Sequence, residues 1–332
     1  MDIFDLVLAD IYFLTLREKI LLRNKLDSVD KLSVLSISDI SKLIGRPIRS
    51  ENWKADDFIL SAKKSLAIMQ SRQISAIRYD DKDYPSLLKE ILNPPYLLFY
   101  RGNIKVLDKE CIGIVGTRNV CQDSARAALE FSKDACKSGI TIVSGLANGI
   151  DTWAHRGSLS ENLTESTCAV LPSGIDCITP VGNKALAAQI LKKNGCIISE
   201  YPPCCPAEPW RYVQRNRLIA GLCRSVVVIQ APPKSGALIT ADFAVEYNRD
   251  LYFHSACFCS EAERISQETE RKLLKSKKDA NKIIKTCKSY VNDGALVIDN
   301  YTDYIEKCFQ AQSMNIEKNK GQLDLFDSKS EY

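Results

Sequence analysis

From residue 111 onward the chain alternates short, almost wholly apolar runs with amphipathic stretches, and that rhythm leaves few folds open. The runs are Ile112–Val115, Thr141–Val143, Cys168–Leu171, Cys196–Ile198, Val226–Ile229 and Leu251–Phe253, with starts 25 to 30 residues apart. Several gaps hold helical periodicity, as in Ser124–Lys137, Lys184–Lys193 and Ala237–Tyr247. A strand with no polar alternation is buried on both faces, and alternation with helices supplies the cover. The expected fold is therefore α/β, a doubly wound, mostly parallel sheet. Ligands of such sheets bind outside the carboxyl ends of the strands.

Both flanks read differently. Residues 1–70 place Leu6, Ile11, Leu14, Ile20, Leu21 and Leu26 at roughly helical spacing, which predicts a small helical domain. Between 75 and 103, Pro94-Pro95 followed by Tyr96-Leu97-Leu98-Phe99-Tyr100 predicts an extended segment entering a strand. A Lys-rich insertion over 258–288 interrupts the rhythm and reads as a solvated helix or a mobile segment. Residues 311–332 read as a flexible tail.

Composition narrows the function classes. A net charge of +4 permits nucleic-acid binding only where the charge is clustered. Thirteen Cys without a CxxC pair, and only two His, argue against a metal site. The odd Cys count and the absence of a signal-peptide pattern point to a reducing cytoplasm. No apolar run reaches the ~18 residues that span a membrane.

Three turns follow strands at the edge where ligands bind. They are Gly116-Thr117-Arg118, Ser144-Gly145-Leu146-Ala147-Asn148-Gly149-Ile150-Asp151 and Lys234-Ser235-Gly236. Glycine lets backbone N–H groups approach an anion, and a following helix N-terminus adds partial positive charge. Singly, each suits a tight turn in any α/β protein; three at one edge, two with Arg or Lys, favour a phosphate-binding rim. Arg215-Asn216-Arg217 brings further guanidiniums beside the strand at Val226. Neither a dinucleotide fingerprint nor a P-loop is spelled by any segment. His155 falls four residues after Asp151, on one helix face, but no nucleophile stands beside the pair, so a structural role at the helix start is the better reading. No cofactor is implied.

These blocks, in order, closely resemble the DNA-processing protein A (DprA/Smf) family. The resemblance runs from about 75 to 254 and resumes weakly at 290–307. It rests on Tyr84-Pro85, Pro94-Pro95-Tyr96, Gly116-Thr117-Arg118, the Ser144-to-His155 run, Ser199-Glu200-Tyr201-Pro202-Pro203, Arg215-Asn216-Arg217 and Ser235-Gly236-Ala237-Leu238-Ile239-Thr240-Ala241. It implies an extended Rossmann-like domain over 75–307 with a small N-terminal helical (SAM-like) domain. The implied protein is a homodimer that binds and protects single-stranded DNA and loads a RecA-type recombinase during natural transformation. The resemblance implies a binding protein rather than an enzyme. The implied DNA pocket holds Thr117 and Arg118, lined by Arg215, Asn216, Arg217 and Lys234. Ser144, Gly145 and Gly149 would present backbone donors from one side and Ser235 with Gly236 from the other. Tyr212 either stacks on a base or is a core aromatic at a helix start.

In two places the chain departs from the family pattern. The Pro-Gly turn and Gly-x-Asn-x-Leu-Ile segment after the last strand are replaced by His254-Ser255-Ala256-Cys257-Phe258 and the insertion, and a C-terminal winged-helix-like domain is not expected. A competing class is an enzyme of related fold, a nucleotide phosphoribohydrolase, but Leu171-Pro172-Ser173-Gly174-Ile175-Asp176 lacks its Pro-Gly-Gly-x-Gly-Thr turn. In the tail, Gln322-Leu323-Asp324-Leu325-Phe326 resembles the peptide with which bacterial replication and repair proteins dock on the DNA polymerase sliding clamp. Gln322 would bond to backbone at a pocket mouth, Leu325 and Phe326 would fill the pocket, and Leu323 would lean on its rim. The alternative is that these side chains fold back onto the protein's own surface.

Overall fold

The computed structural model describes residues 1–49, 53–160, 163–275 and 284–310. Nine strands of these residues form one sheet: β1 (Ser75–Arg78), β2 (Leu97–Gly102), β3 (Cys111–Gly116), β4 (Thr141–Ser144), β5 (Thr167–Val170), β6 (Cys196–Ser199), β7 (Ser225–Gln230), β8 (Asp250–His254) and β9 (Leu296–Ile298). Their order is β1-β2-β6-β5-β4-β3-β7-β8-β9. The run from β6 to β9 is parallel, whereas β1 with β2 and β2 with β6 pair antiparallel. All six apolar runs of the sequence are strands of the parallel part, and every residue of β4, β5, β6 and β7 is buried. The proline-aromatic segment enters β2.

Helices cover both faces. Five precede the sheet: α1 (Ile3–Asp10), α2 (Leu16–Lys25), α3 (Val29–Ser33), α4 (Ile37–Ile44) and α5 (Ala55–Ser71). Capping boxes start two of them, Thr15 with Glu18 at α2 and Ser36 with Asp39 at α4. Then come α6 (Ser86–Lys89), α7 (Gln122–Lys137), α8 (Ile150–Ser158), α9 (Lys184–Lys192), α10 (Pro209–Leu222), α11 (Gly236–Glu246), α12 (Ser260–Leu274) and α13 (Cys287–Asn292). Residues 301–310 are also helical. Pro209 opens α10, where its missing N–H costs nothing. The charged stretch after 258 is in part α12, of which only Ala262 is buried. Residues 276–283 of the Lys-rich insertion lie outside the described residues, as do Gln322, Leu323, Leu325 and Phe326 of the tail.

Period-two alternation in the strands feeds separate cores. From β3, Ile112 and Ile114 join Ala128 and Phe131 of α7 and Ala154 of α8. Cys111 and Val115 point the other way, toward Leu218 and Ile219 of α10 and Ala237, Leu238 and Ala241 of α11. A third core joins the N-terminal helices to the sheet: Phe4, Leu8, Leu22 and Met69 cluster with Leu97, Phe99, Ala169 and Ile197. A buried polar knot accompanies it. Asp5 Oδ1 accepts from Arg23 Nε at 2.9 Å, Tyr96 hydroxyl at 2.9 Å and Arg78 Nη1 at 3.3 Å.

Strand order places the functional edge. The chain steps outward from β3 to β6, then α10 carries it back to β7 on the other side of β3. The loop after β3 therefore leads to α7 on one face and the loop after β7 to α11 on the opposite face. Such a reversal opens a crevice at the carboxyl ends. Among the described residues no helix is long and apolar enough to cross a membrane.

Candidate nucleic-acid interface

A cleft of about 390 Å³ fills that crevice. Its walls are the β3 loop at Thr117 and Arg118, the β7 loop from Pro232 to Ser235, the start of α11, and the α10 side chains Tyr212, Arg215 and Asn216, with Asp151 of α8 at the base.

The loops are tied to one residue. Thr117 N–H donates to the Gln230 carbonyl at 2.7 Å, and Cys121 N–H donates to Gln230 Oε1 at 3.1 Å. Both ends of the β3 loop are thus pinned to the last residue of β7. On the opposite wall Lys234 adopts φ 61°, a left-handed conformation that turns the chain into α11. Ser235 caps that helix by accepting from Ala237 N–H at 3.3 Å. Asn216 Nδ2 donates to the Gly236 carbonyl at 3.0 Å and locks α10 against the same helix start. The N-terminus of α11 therefore faces the cleft with the electrostatics that suit an anion. Across the opening, the exposed Arg118 guanidinium sits 5.0 Å from the Tyr212 ring centroid. Tyr212 is half-buried, and its hydroxyl lies 3.2 Å from Thr179 Oγ1.

Beneath the rim lies a buried charged cluster. Arg215 Nη1 donates to the Val170 carbonyl at 2.9 Å, and its Nε has no partner. The guanidinium rests directly on Gly145, where an added Cβ would come within 1.4 Å of Nη1. Burial pushes the Arg215 pKa down, and the nearby Asp151 charge opposes this. Asp151 Oδ2 accepts from Gly145 N–H at 3.1 Å and Ala147 N–H at 3.3 Å. Burial raises its carboxyl pKa, while Arg215 and those amides pull it down. His155, one turn along α8, is wholly buried with Nδ1 2.8 Å from Thr167 Oγ1. Burial, then the Arg215 charge, lowers its pKa to about 3, so at neutral pH it is an uncharged packing residue. No group of three or more His, Cys, Asp or Glu among the described residues is placed to hold a metal ion.

Of the residues singled out in the sequence, Thr117, Arg118, Tyr212, Arg215, Asn216, Lys234, Ser235 and Gly236 all line this cleft. Four do not. Ser144 is buried, its hydroxyl donating to the Ile114 carbonyl at 2.6 Å. Gly145 N–H is committed to Asp151, so it presents no free donor. Gly149 has φ +83°, and a Cβ there would strike the Thr117 carbonyl at 2.2 Å; it serves the close approach of two loops. Arg217 lies on the far side of α10 from Arg215, since residues two apart on a helix diverge by about 200°. It donates to the Asn93 carbonyl at 2.7 Å and pairs with the largely buried Glu200. The 3.6-residue period applied to 215–217 would have separated the two arginines from sequence. Gln230 carried no such signal, because its role depends on strand pairing.

Residues 75–308 match the family model of DNA recombination-mediator protein A. The chain belongs to that family. With Protein Smf of Synechocystis sp. it shares 48% identity over 177 residues, 52% of this chain but only 44% of that protein's length. The X-ray structure of DNA processing protein A from Streptococcus pneumoniae superposes with a TM-score of 0.68 at 26% identity, covering 92% of this chain and 98% of that one. The Helicobacter pylori DNA processing protein A, described in a single-stranded DNA binding mode, shares the fold at a TM-score of 0.57 and 24% identity, over 72% and 97% of the chains. The N-terminal helices and the sheet are thus part of the architecture shared with the pneumococcal protein.

Proposed function

We propose that the protein binds single-stranded DNA in the cleft between the β3 and β7 loops and hands it to a RecA-type recombinase. The observation that carries this reading is Arg118 stacked on Tyr212 at the mouth of a cleft that also receives Lys234 and the start of α11. Arg and Lys serve backbone phosphates, and an aromatic face accepts any base, a combination that suits single strands without strong sequence preference. Family membership supports it, as does the single-stranded DNA bound by the Helicobacter pylori protein of the same fold. Protection of incoming DNA during transformation, a cytoplasmic location and a homodimer complete the proposal; two linked pockets would raise affinity through effective concentration.

The role is proposed as binding rather than catalysis. The one carboxylate at the base of the cleft, Asp151, is occupied by two backbone amides and faced by Arg215. Gel shifts comparing single-stranded with duplex DNA test the reading, and equal affinity for both would overturn it. Release of a base from a nucleoside monophosphate by the purified protein would favour an enzyme instead. The clamp-like peptide Gln322–Phe326 gives a second proposed partner, the DNA polymerase sliding clamp, to be met with micromolar affinity.

A further inference from the structure

Just outside the cleft stands an aromatic residue that the pocket itself does not use. Trp210 is 50% exposed in the first turn of α10, and Val213, one turn along the same face, is 42% exposed and lines the cleft. The two form an exposed apolar strip that is continuous with the cleft wall through Val213. The indole is held rather than loose. Its Nε1–H donates to Glu208 Oε2 at 2.5 Å, the Arg211 guanidinium sits 4.9 Å from its ring centroid, and Tyr201 packs edge-on at 6.3 Å. Arg211 is fixed in turn by the Tyr201 ring at 5.0 Å and the Pro206 carbonyl. With one face backed by a cation, the exposed half of the indole is presented in a set orientation.

We propose that Trp210 is a second stacking platform for the same single strand, receiving a base where the strand leaves the cleft past Val213. This rests on the single-stranded DNA reading of the cleft. One helical turn, a rise of about 5 Å, separates Trp210 from Val213 on the cleft wall, so the indole stands at the edge of the cleft. Arg118 and Arg211 flank this path with the charge that a phosphate backbone requires. The indole lies outside the cleft, faces solvent, and adds no charge. Its contribution is therefore stacking, which is insensitive to salt, whereas that of Arg118 is counterion release, which is not.

The salt dependence separates the two contributions. Wild type, W210A, W210F and R118A are titrated with a thymidine dodecanucleotide across a salt series, and quenching of indole fluorescence is followed in wild type and W210F. W210A should bind about 10-fold more weakly at every salt concentration with the slope of log affinity against log salt unchanged. W210F should restore most of the loss, and oligonucleotide should quench a component of fluorescence that W210F lacks. R118A should instead flatten the slope. W210A binding as wild type does, or quenching identical in wild type and W210F, overturns the inference and leaves the cleft reading intact. No binding by wild type overturns the cleft reading itself.

Discussion

Arg118 and Arg217 carry the same charge within one sequence signature, yet alanine at each should act on different properties. Arg118 is exposed at the cleft mouth, so R118A removes one phosphate contact and should reduce the salt slope by about 0.7. Arg217 and Glu200 have side chains only 11% and 13% exposed, and the pair is buried between α10 and the strand β6 end. Removing one partner of a buried pair costs about 3–5 kcal/mol. Lys19 also lies near Glu200, which places R217A toward the lower value, about 3 kcal/mol. At about 2–4 °C per kcal/mol for a large domain, the melting temperature should fall by roughly 6–12 °C. The effect carries a pH signature. Burial raises the Glu200 carboxyl above its unfolded value of ~4.3, so between the two values the folded state holds a proton that the unfolded state has released. Stability is then lost as pH rises through that window. Loss of Arg217 raises the folded value further, so the R217A deficit should be smaller at pH 5 than at pH 8, and E200Q should rescue R217A. Chemical denaturation at both pH values, with anisotropy titrations of single-stranded DNA across ~50 to ~200 mM salt, measures both arms. An R217A protein with wild-type stability and a flattened salt slope would refute the assignment.

Gly145→Ala should displace the Arg215 guanidinium, given a Cβ 1.4 Å from Nη1; loss of its charged hydrogen bond to Val170 costs about 1.5–3 kcal/mol, read as a lower denaturation midpoint together with weaker DNA binding. His155, depressed to about 3 in the fold, stays neutral while the unfolded chain protonates below ~6.5, so stability present at pH 7 is lost as pH falls, by about 1.4 kcal/mol per unit. A His155→Gln protein should show a shallower decline by urea denaturation; an unchanged slope would count against it. Sedimentation should give a dimer at micromolar concentration, and monomer with intact DNA binding would remove that part of the proposal. A peptide covering Gly321–Ser328 should bind the purified sliding clamp, and L325A with F326A should abolish this while leaving DNA binding unchanged.

Periodicity made the parallel sheet readable, because strands buried on both faces have almost no freedom to be polar. The glycine turns after β3 and β7 and the Arg-Asn pair of α10 were legible for a related reason, since charge beside an apolar strand is costly unless used. What escaped was division of labour. Gly145 and Ser144 look like phosphate donors in one dimension, yet their groups are spent on Asp151 and Ile114. Trp210 reads as an ordinary apolar residue until its exposure is seen. The partners of Gln230 lie more than a hundred residues away, so only strand pairing could bring them to light.

The knot at Asp5 bears on how this molecule can be dissected. The family match begins at residue 75, which invites excision of the helices before it. Such a cut would pass through a shared core. It would bare Leu97, Phe99, Ala169 and Ile197 to water and strip Arg78 and Tyr96 of their common carboxylate. A fragment beginning at Ser75 should therefore be recovered mostly in aggregates, and an Asp5→Ala change should loosen the same seam within the intact chain. Sequence homology marks one boundary here; the boundary at which the protein can be cut lies elsewhere.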